Sequence, residues 1–259
     1  MQDVLEVAIA GARAAGEILL SYYQEDYQVR DKGYHNPVTT ADYASDKYLQ
    51  DYLLGHYPNY GWLSEETIDS RERLTKERVW VVDPLDGTKE FIEGVPQFVV
   101  SVALVEHGES IVGVLHNPVS GEIFSAARDE GAHLGGVSIR TSSLTDLGQA
   151  EILNSRSETR RGLWKPYTDR IHSLRAVGSV AYKLGLVAAG QADVFASLRP
   201  KNEWDICAGN CILDEAGAQL KTLKGETIRY NQRHVLITPG LVAGNPDIVQ
   251  AFLQLYGSA

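Results

Sequence analysis

Cysteine is nearly absent. Of 259 residues only Cys207 and Cys211 carry a thiol. Two cysteines do not make the disulfide framework of a small secreted domain, and they suit a reducing compartment. A soft-ligand metal site would need further partners, and no Cys or His cluster supplies them. Buried core thiols are the expected role. Positive charge is also scarce: 24 Lys and Arg stand against 34 Asp and Glu, a net charge of −10. An acidic surface repels nucleic-acid backbones and anionic lipid, which argues against a nucleic-acid polymer or a membrane as partner. No apolar run approaches the ~18 residues of a membrane span. The start, Met1-Gln2-Asp3-Val4, has neither the basic nor the apolar segment of a signal peptide, so a cytoplasmic location is expected. A Gly-x-x-x-x-Gly-Lys-Ser/Thr phosphate loop and a Gly-x-Ser-x-Gly elbow are both missing, although a Ser-His-Asp triad of another form stays open. The seven histidines are scattered, with no His-x-x-x-His spacing.

The remaining composition, 44% apolar and 22% charged, is that of a globular chain. Its length fits one large domain or two small ones. Leu5, Ala8, Ile9, Ala12, Ala15, Gly16, Leu19, Leu20 and Tyr23 recur at helical spacing. A turn at Asn36-Pro37 precedes a second helix from about Thr40, whose apolar face is Tyr48, Leu49, Tyr52 and Leu53. Val79 to Val82 reads as a buried strand ending at Asp83-Pro84, because proline breaks a central ladder. Strands at 98–105, 111–115 and 122–126 and near Val137 form a meander split by His107-Gly108, Asn117-Pro118 and Gly135-Gly136. Beyond about residue 145, strands at 150–153, 174–177 and 192–196 alternate with helices at 159–170, 179–189 and 204–216, and a last helix covers 246–256. The pattern predicts α+β followed by α/β, as two subdomains, 1–145 and 146–259.

The densest chemical signal is Trp80-Val81-Val82-Asp83-Pro84-Leu85-Asp86-Gly87-Thr88. A buried strand delivers Asp83 to its end, and Asp86 follows on the rim. Two carboxylates and the Leu85 carbonyl are hard oxygen donors, the kind that hold Mg²⁺ beside substrate phosphate. The Gly87 and Thr88 amides at a helix start would face an anion. The same residues also make an ordinary capped turn, with Asp86 as the cap. Glu65-Glu66 follows Gly61-Trp62-Leu63 at another strand end. Asp205 and Asp42 fall in first helical turns, where a carboxylate is also favoured as a cap.

Taken together, Glu65-Glu66, the run from Asp83 to Thr88, and Trp204-Asp205 followed by Ala208-Gly209 and Glu215-Ala216-Gly217 resemble the lithium-sensitive, magnesium-dependent phosphatases of the inositol monophosphatase superfamily. The resemblance covers almost the whole chain. It implies a layered αβαβα sandwich of the sugar-phosphatase type. It also implies two or three Mg²⁺ ions held by Glu65, Asp83, the Leu85 carbonyl, Asp86 and Asp205. Thr88, hydrogen-bonded to Asp42, would orient the attacking water, with Glu65 also in the catalytic set. Gly87, Thr88, Ser179, Lys183 and Asp205 would contact substrate. Cations of this kind would reverse the local charge of an acidic protein that acts on an anion.

Within the superfamily, Lys89-Glu90-Phe91, Ser155-Arg156-Ser157 and Lys183, five residues after Gly178, resemble the 3′(2′),5′-bisphosphate nucleotidase branch. Lys183 is either a contact to a second phosphate or to ribose oxygens, or a solvated helix lysine. The inositol branch tends to place a Glu seven residues before the Trp-Asp aspartate; Leu198 stands there, with Arg199 and Lys201 beside it. The expected reaction is removal of the 3′-phosphate of adenosine 3′,5′-bisphosphate to leave AMP. The alternative is an inositol 1-phosphatase or another small sugar-phosphate phosphatase. A silent regulatory member would have lost a ligand, whereas Glu65, Asp83, Asp86, Asp205 and Thr88 are all present. The partner expected is thus a small phosphate ester, and the protein a monomer or homodimer.

Overall fold

The computed structural model describes residues 1–31 and 37–258. The chain runs α1 (Gln2–Tyr22), β1 (Val29–Asp31), β2 (Pro37–Thr39), α2 (Thr40–His56), β3 (Gly61–Ser64), β4 (Arg78–Asp86), α3 (Thr88–Ile92), β5 (Val99–Glu106), β6 (Glu109–His116), β7 (Ile123–Ala127), β8 (Ala132–Leu134) and β9 (Val137–Ser138). It continues through β10 (Glu151–Ser155), α4 (Arg156–Arg160), β11 (Ser173–Val177), α5 (Val180–Ala188), β12 (Val194–Ser197), β13 (Lys201–Asn202), α6 (Glu203–Glu215), β14 (Gln219–Thr222), β15 (Leu236–Ile237), β16 (Leu241–Gly244) and α7 (Pro246–Gly257). A seven-stranded sheet has the order β3-β4-β5-β6-β7-β8-β9, and a five-stranded sheet the order β11-β10-β12-β16-β14. In the first sheet only β3 and β4 are parallel. In the second, β10 lies parallel to β11 and β12, and β16 runs antiparallel to its neighbours β12 and β14.

Strands buried on both faces read as continuous apolar runs, and β4 shows why this run does so. Val79 and Val81 join the core shared with α5, α6 and the second sheet, whereas Trp80 and Val82 join the core under α1 and α2. β5 alternates in the same way, with Ala103 and Val105 on one side and Val102 and Leu104 on the other. A third core, with Ile152, Val194 and Val242, lies under Ile248, Val249 and Phe252 of α7. The layers are therefore helix, sheet, helix, sheet, helix, the αβαβα sandwich. Burying one such Val or Leu side chain is worth about 1.5–3 kcal/mol.

Three differences from the sequence reading have local causes. β4 does not stop at Asp83-Pro84. It pairs with β5 on to Asp86, with the register shifting between Asp83↔Ser101 and Asp86↔Val99. One extra residue is accommodated there as a bulge, a place in a sheet where proline is tolerated. The expected helix at 159–170 is divided into α4 and a 3₁₀ turn, Lys165–Arg170, because Gly162 takes φ 68° between them. The short strands β14 and β16 have no counterpart in the sequence pattern: four residues hold too little of a period. The turn expected at Asn36-Pro37 falls partly outside the described residues, and Pro37 itself opens β2.

α6 packs across the first sheet at close range. A Cβ added to Gly113 of β6 would lie 2.3 Å from the Ala208 carbonyl oxygen. Both cysteines lie buried on α6 as free thiols, and burial pushes their pKa values up. Among the described residues, no helix is long and apolar enough to cross a membrane.

Candidate active site

The bulge at the end of β4 places its carboxylates beside the starts of α5 and α6. Asp83 is buried, and its Oδ1 accepts from the Leu85 amide at 3.0 Å. Gly87 follows with φ 104°, a left-handed conformation open to glycine, and a Cβ there would lie 2.9 Å from the Gln97 carbonyl oxygen. This turn starts α3 at Thr88.

Carboxylate oxygens of Glu65, Asp83 and Asp205 lie within 4.8 Å of one another. Glu65 comes from the end of β3, and Asp205 from the first turn of α6, where its Oδ2 accepts from the Asn202 amide at 2.9 Å. Burial, then the charges of Glu65, Asp86 and Asp205, hold the Asp83 carboxyl well above the usual range. Burial and the Asp86 and Glu65 charges push Asp205 up to about 8. Crowded oxygen donors with so little charge compensation fit a hard divalent cation. Asp86 is committed on one oxygen: Oδ2 accepts from Ser179 Oγ and from the Ala181 amide, both at 2.6 Å. It thereby fixes the start of α5.

Thr88 and Asp42 meet as expected. Thr88 Oγ1 lies 3.1 Å from Asp42 Oδ1 and 3.2 Å from the Leu85 carbonyl oxygen. The other Asp42 oxygen accepts from the Thr39 amide at 2.7 Å and the Thr39 hydroxyl at 2.6 Å, a capping box that opens α2. Burial raises Asp42 to about 6, opposed by the bonds from Thr39 and Thr88.

A pocket of about 340 Å³ joins these groups. Its lining includes Glu65, Asp83, Asp86, Gly87, Thr88, Ser179, Lys183 and Asp205, and also Lys89, Ser157, Arg160, Arg199 and Lys201. Lys183 is neither a solvated helix lysine nor a free substrate cation. Its side chain is buried, and its Nζ donates to the carbonyls of Val177 (2.9 Å), Gly178 (3.2 Å) and Ser179 (2.5 Å). Burial lowers it to about 8, opposed mainly by the Asp86 charge. An ammonium has three donors, and these carbonyls engage all of them. Leu198 packs into the core under α7. Arg156 points to α3, donating to Glu90 at 3.0 Å and pairing with Glu93 at 2.7 Å. The sequence reading missed Arg160. Its spacing from Ser157, three residues along one helix, was the available signal that both share a face.

A layered αβαβα fold with hard oxygen donors gathered at the ends of β3 and β4 and the start of α6 defines the class: a metal-dependent phosphatase, a phosphoric monoester hydrolase. The profile of the inositol monophosphatase family matches residues 1–254, and the chain belongs to that family. Inositol monophosphatase 2 of Solanum lycopersicum is 34% identical over 249 residues, covering 92% of this chain and 94% of the relative. Nus factor SuhB of Escherichia coli K12 is 32% identical over 264 residues, covering 98% and 95%. The solved structure of an IMPase from Thermotoga maritima superposes with a TM-score of 0.88 at 28% identity, covering 99% of this chain and 97% of that one.

Proposed function

We propose that this pocket hydrolyses a phosphate monoester bearing a second anionic group, and that its substrate is adenosine 3′,5′-bisphosphate, which loses its 3′-phosphate to give AMP. The observation that carries this reading is the pocket's split charge. Glu65, Asp83 and Asp205 cluster within 4.8 Å, and the same pocket is lined by Arg160, Arg199 and Lys201. A monoester with one phosphate needs no second basic patch. The names of the relatives favour another reading, inositol monophosphate as substrate.

Glu65, Asp83, the Leu85 carbonyl, Asp86 and Asp205 are the groups that would hold Mg²⁺. When bound, Mg²⁺ neutralises phosphate oxygens and makes water a better nucleophile. The protein's own part is orientation. Thr88 donates to Asp42, which leaves its hydroxyl oxygen free to accept a hydrogen bond from the attacking water; as the water proton passes to Thr88, the Thr88 proton passes on to Asp42, which becomes the carboxylic acid. Asp42 is anchored on its other oxygen by Thr39, so the acceptor cannot swing away. Gly87 and Thr88 line the pocket, and their amides would meet the reacting phosphate. Lys183 acts at one remove, holding the Val177–Ser179 turn that lines the pocket. Arg160 and Arg199 suit the phosphate that does not react, by charge-assisted hydrogen bonds.

The test is kcat/KM with Mg²⁺ for adenosine 3′,5′-bisphosphate, inositol 1-phosphate and fructose 1,6-bisphosphate. Preference for the nucleotide, with AMP as product, is the expected result. Preference for inositol 1-phosphate would overturn the substrate assignment and leave the metal-dependent phosphatase standing.

A further inference from the structure

α2 touches the site at more than Asp42. Asp42, Ser45 and Asp46 share one face of the helix at three- and four-residue spacing, and all are buried. Ser45 Oγ donates to the Pro84 carbonyl at 3.0 Å, within the bulge between Asp83 and Leu85. Asp46 binds the Glu65 segment on both sides: Oδ1 accepts from the Ser64 hydroxyl, and Oδ2 accepts from the Thr67 hydroxyl at 2.6 Å. Ser64 Oγ lies 3.4 Å from the Glu66 amide, and Trp62 Nε1 donates to Thr67 Oγ1 at 3.3 Å. A buried carboxylate is stable when its oxygens are hydrogen-bonded, and here the two donors, Ser64 and Thr67, bracket Glu65 and Glu66.

We infer that Asp46 is the positioning residue of Glu65. It ties Ser64 and Thr67 to a rigid helix and so fixes where the Glu65 carboxylate stands relative to Asp83 and Asp205. The inference rests on reading Glu65 as a metal ligand. Groups that orient a ligand without touching the metal typically change metal affinity or activity by ~10- to 100-fold when removed.

The experiment is calorimetric titration of the whole protein with Mg²⁺, alongside the Mg²⁺ dependence of the rate. The variants are Thr67→Val, Thr67→Ser, Asp46→Asn and Glu65→Gln. Thr67→Val keeps the Asp46 charge and removes one tie. It should weaken Mg²⁺ binding by about 10-fold, with kcat recovering at high Mg²⁺. Thr67→Ser restores the hydroxyl and should restore the affinity. Asp46→Asn should weaken binding at least as much as Thr67→Val. Wild-type affinity in Thr67→Val, or weakening only in Asp46→Asn, would reduce Asp46 to a nearby charge and overturn the inference. A Thr67→Val chain that fails to fold would make the tie general scaffolding and overturn it equally. If Glu65→Gln binds Mg²⁺ like wild type, the ligand assignment falls and this inference falls with it.

Discussion

Asp83→Asn should separate what the acidic site does for function from what it costs the fold. Glu65, Asp83 and Asp205 hold oxygens within 4.8 Å of each other. At an effective dielectric of about 20, two unit charges that far apart repel by roughly 3.5 kcal/mol. Asp83 has two such neighbours and is only 2% exposed. Full ionisation would cost about 7 kcal/mol, and proton uptake relieves part of it, in keeping with the raised Asp83 pKa. The sign follows. A carboxyl whose folded pKa is raised gives up stability as pH climbs above the ordinary carboxyl range, since the unfolded chain releases its proton first. Asparagine carries no charge and can still accept from the Leu85 amide. Without Mg²⁺ at neutral pH, Asp83→Asn should therefore stabilise the protein by about 2–4 kcal/mol, or roughly 5–10 °C in Tm. The gain should vanish near pH 4. With Mg²⁺ at one thousand times its Kd the order should invert, because the ligand then adds about 4.1 kcal/mol to the wild type alone, and the variant should have lost turnover. The assay is thermal unfolding by circular dichroism in chelator and in Mg²⁺, at acid and neutral pH. Equal Tm values in chelator would refute the repulsion, and an equal Mg²⁺ response would refute the ligand role.

Other perturbations probe separate parts of the site. Thr88→Val should lower kcat by about 10²-fold or more with little change in Mg²⁺ affinity, read from a rate titration; an equal loss of affinity would make Thr88 a loop support. Arg160→Ala should cut kcat/KM for adenosine 3′,5′-bisphosphate by roughly 10- to 150-fold and leave inositol 1-phosphate nearly unchanged; an equal loss on both would remove Arg160 from substrate choice. Lys183→Met leaves three carbonyls of the Val177–Ser179 turn without their donor. It should cost about 2–4 kcal/mol in denaturant unfolding and slow both substrates alike; selective loss of the nucleotide would restore a direct contact for Lys183. Li⁺ should inhibit the Mg²⁺-dependent rate, as the family resemblance implies.

What the sequence made legible was periodicity and contiguous chemistry. The strand of Val79–Val82, the helix from Thr40 and the Asp83–Thr88 run stand in the structure as elements and as one site. What it concealed depends on distant partners. The bulge at Pro84 needs β5 to define a register. Lys183 looks the same in sequence whether its ammonium meets water, a phosphate or three carbonyls, and only burial beside Ser179 decides between them. Leu198 occupies the expected place in the chain, yet the end of β12 directs it into the core under α7. Asp46 gave no signal because its partners, Ser64 and Thr67, lie 18 and 21 residues away.

The close approach of β6 and α6 gives a residue without a side chain control over an electrostatic distance. Asp205 rides on α6, and Ala208, one turn further along it, rests against Gly113 with no room for a methyl group. Thickening the sheet there by a single carbon would push the helix outward as a lever, carrying Asp205 away from Glu65 and Asp83. The gap between those carboxylates is thus gauged from the middle of a β-strand, by a spacer whose thickness is zero.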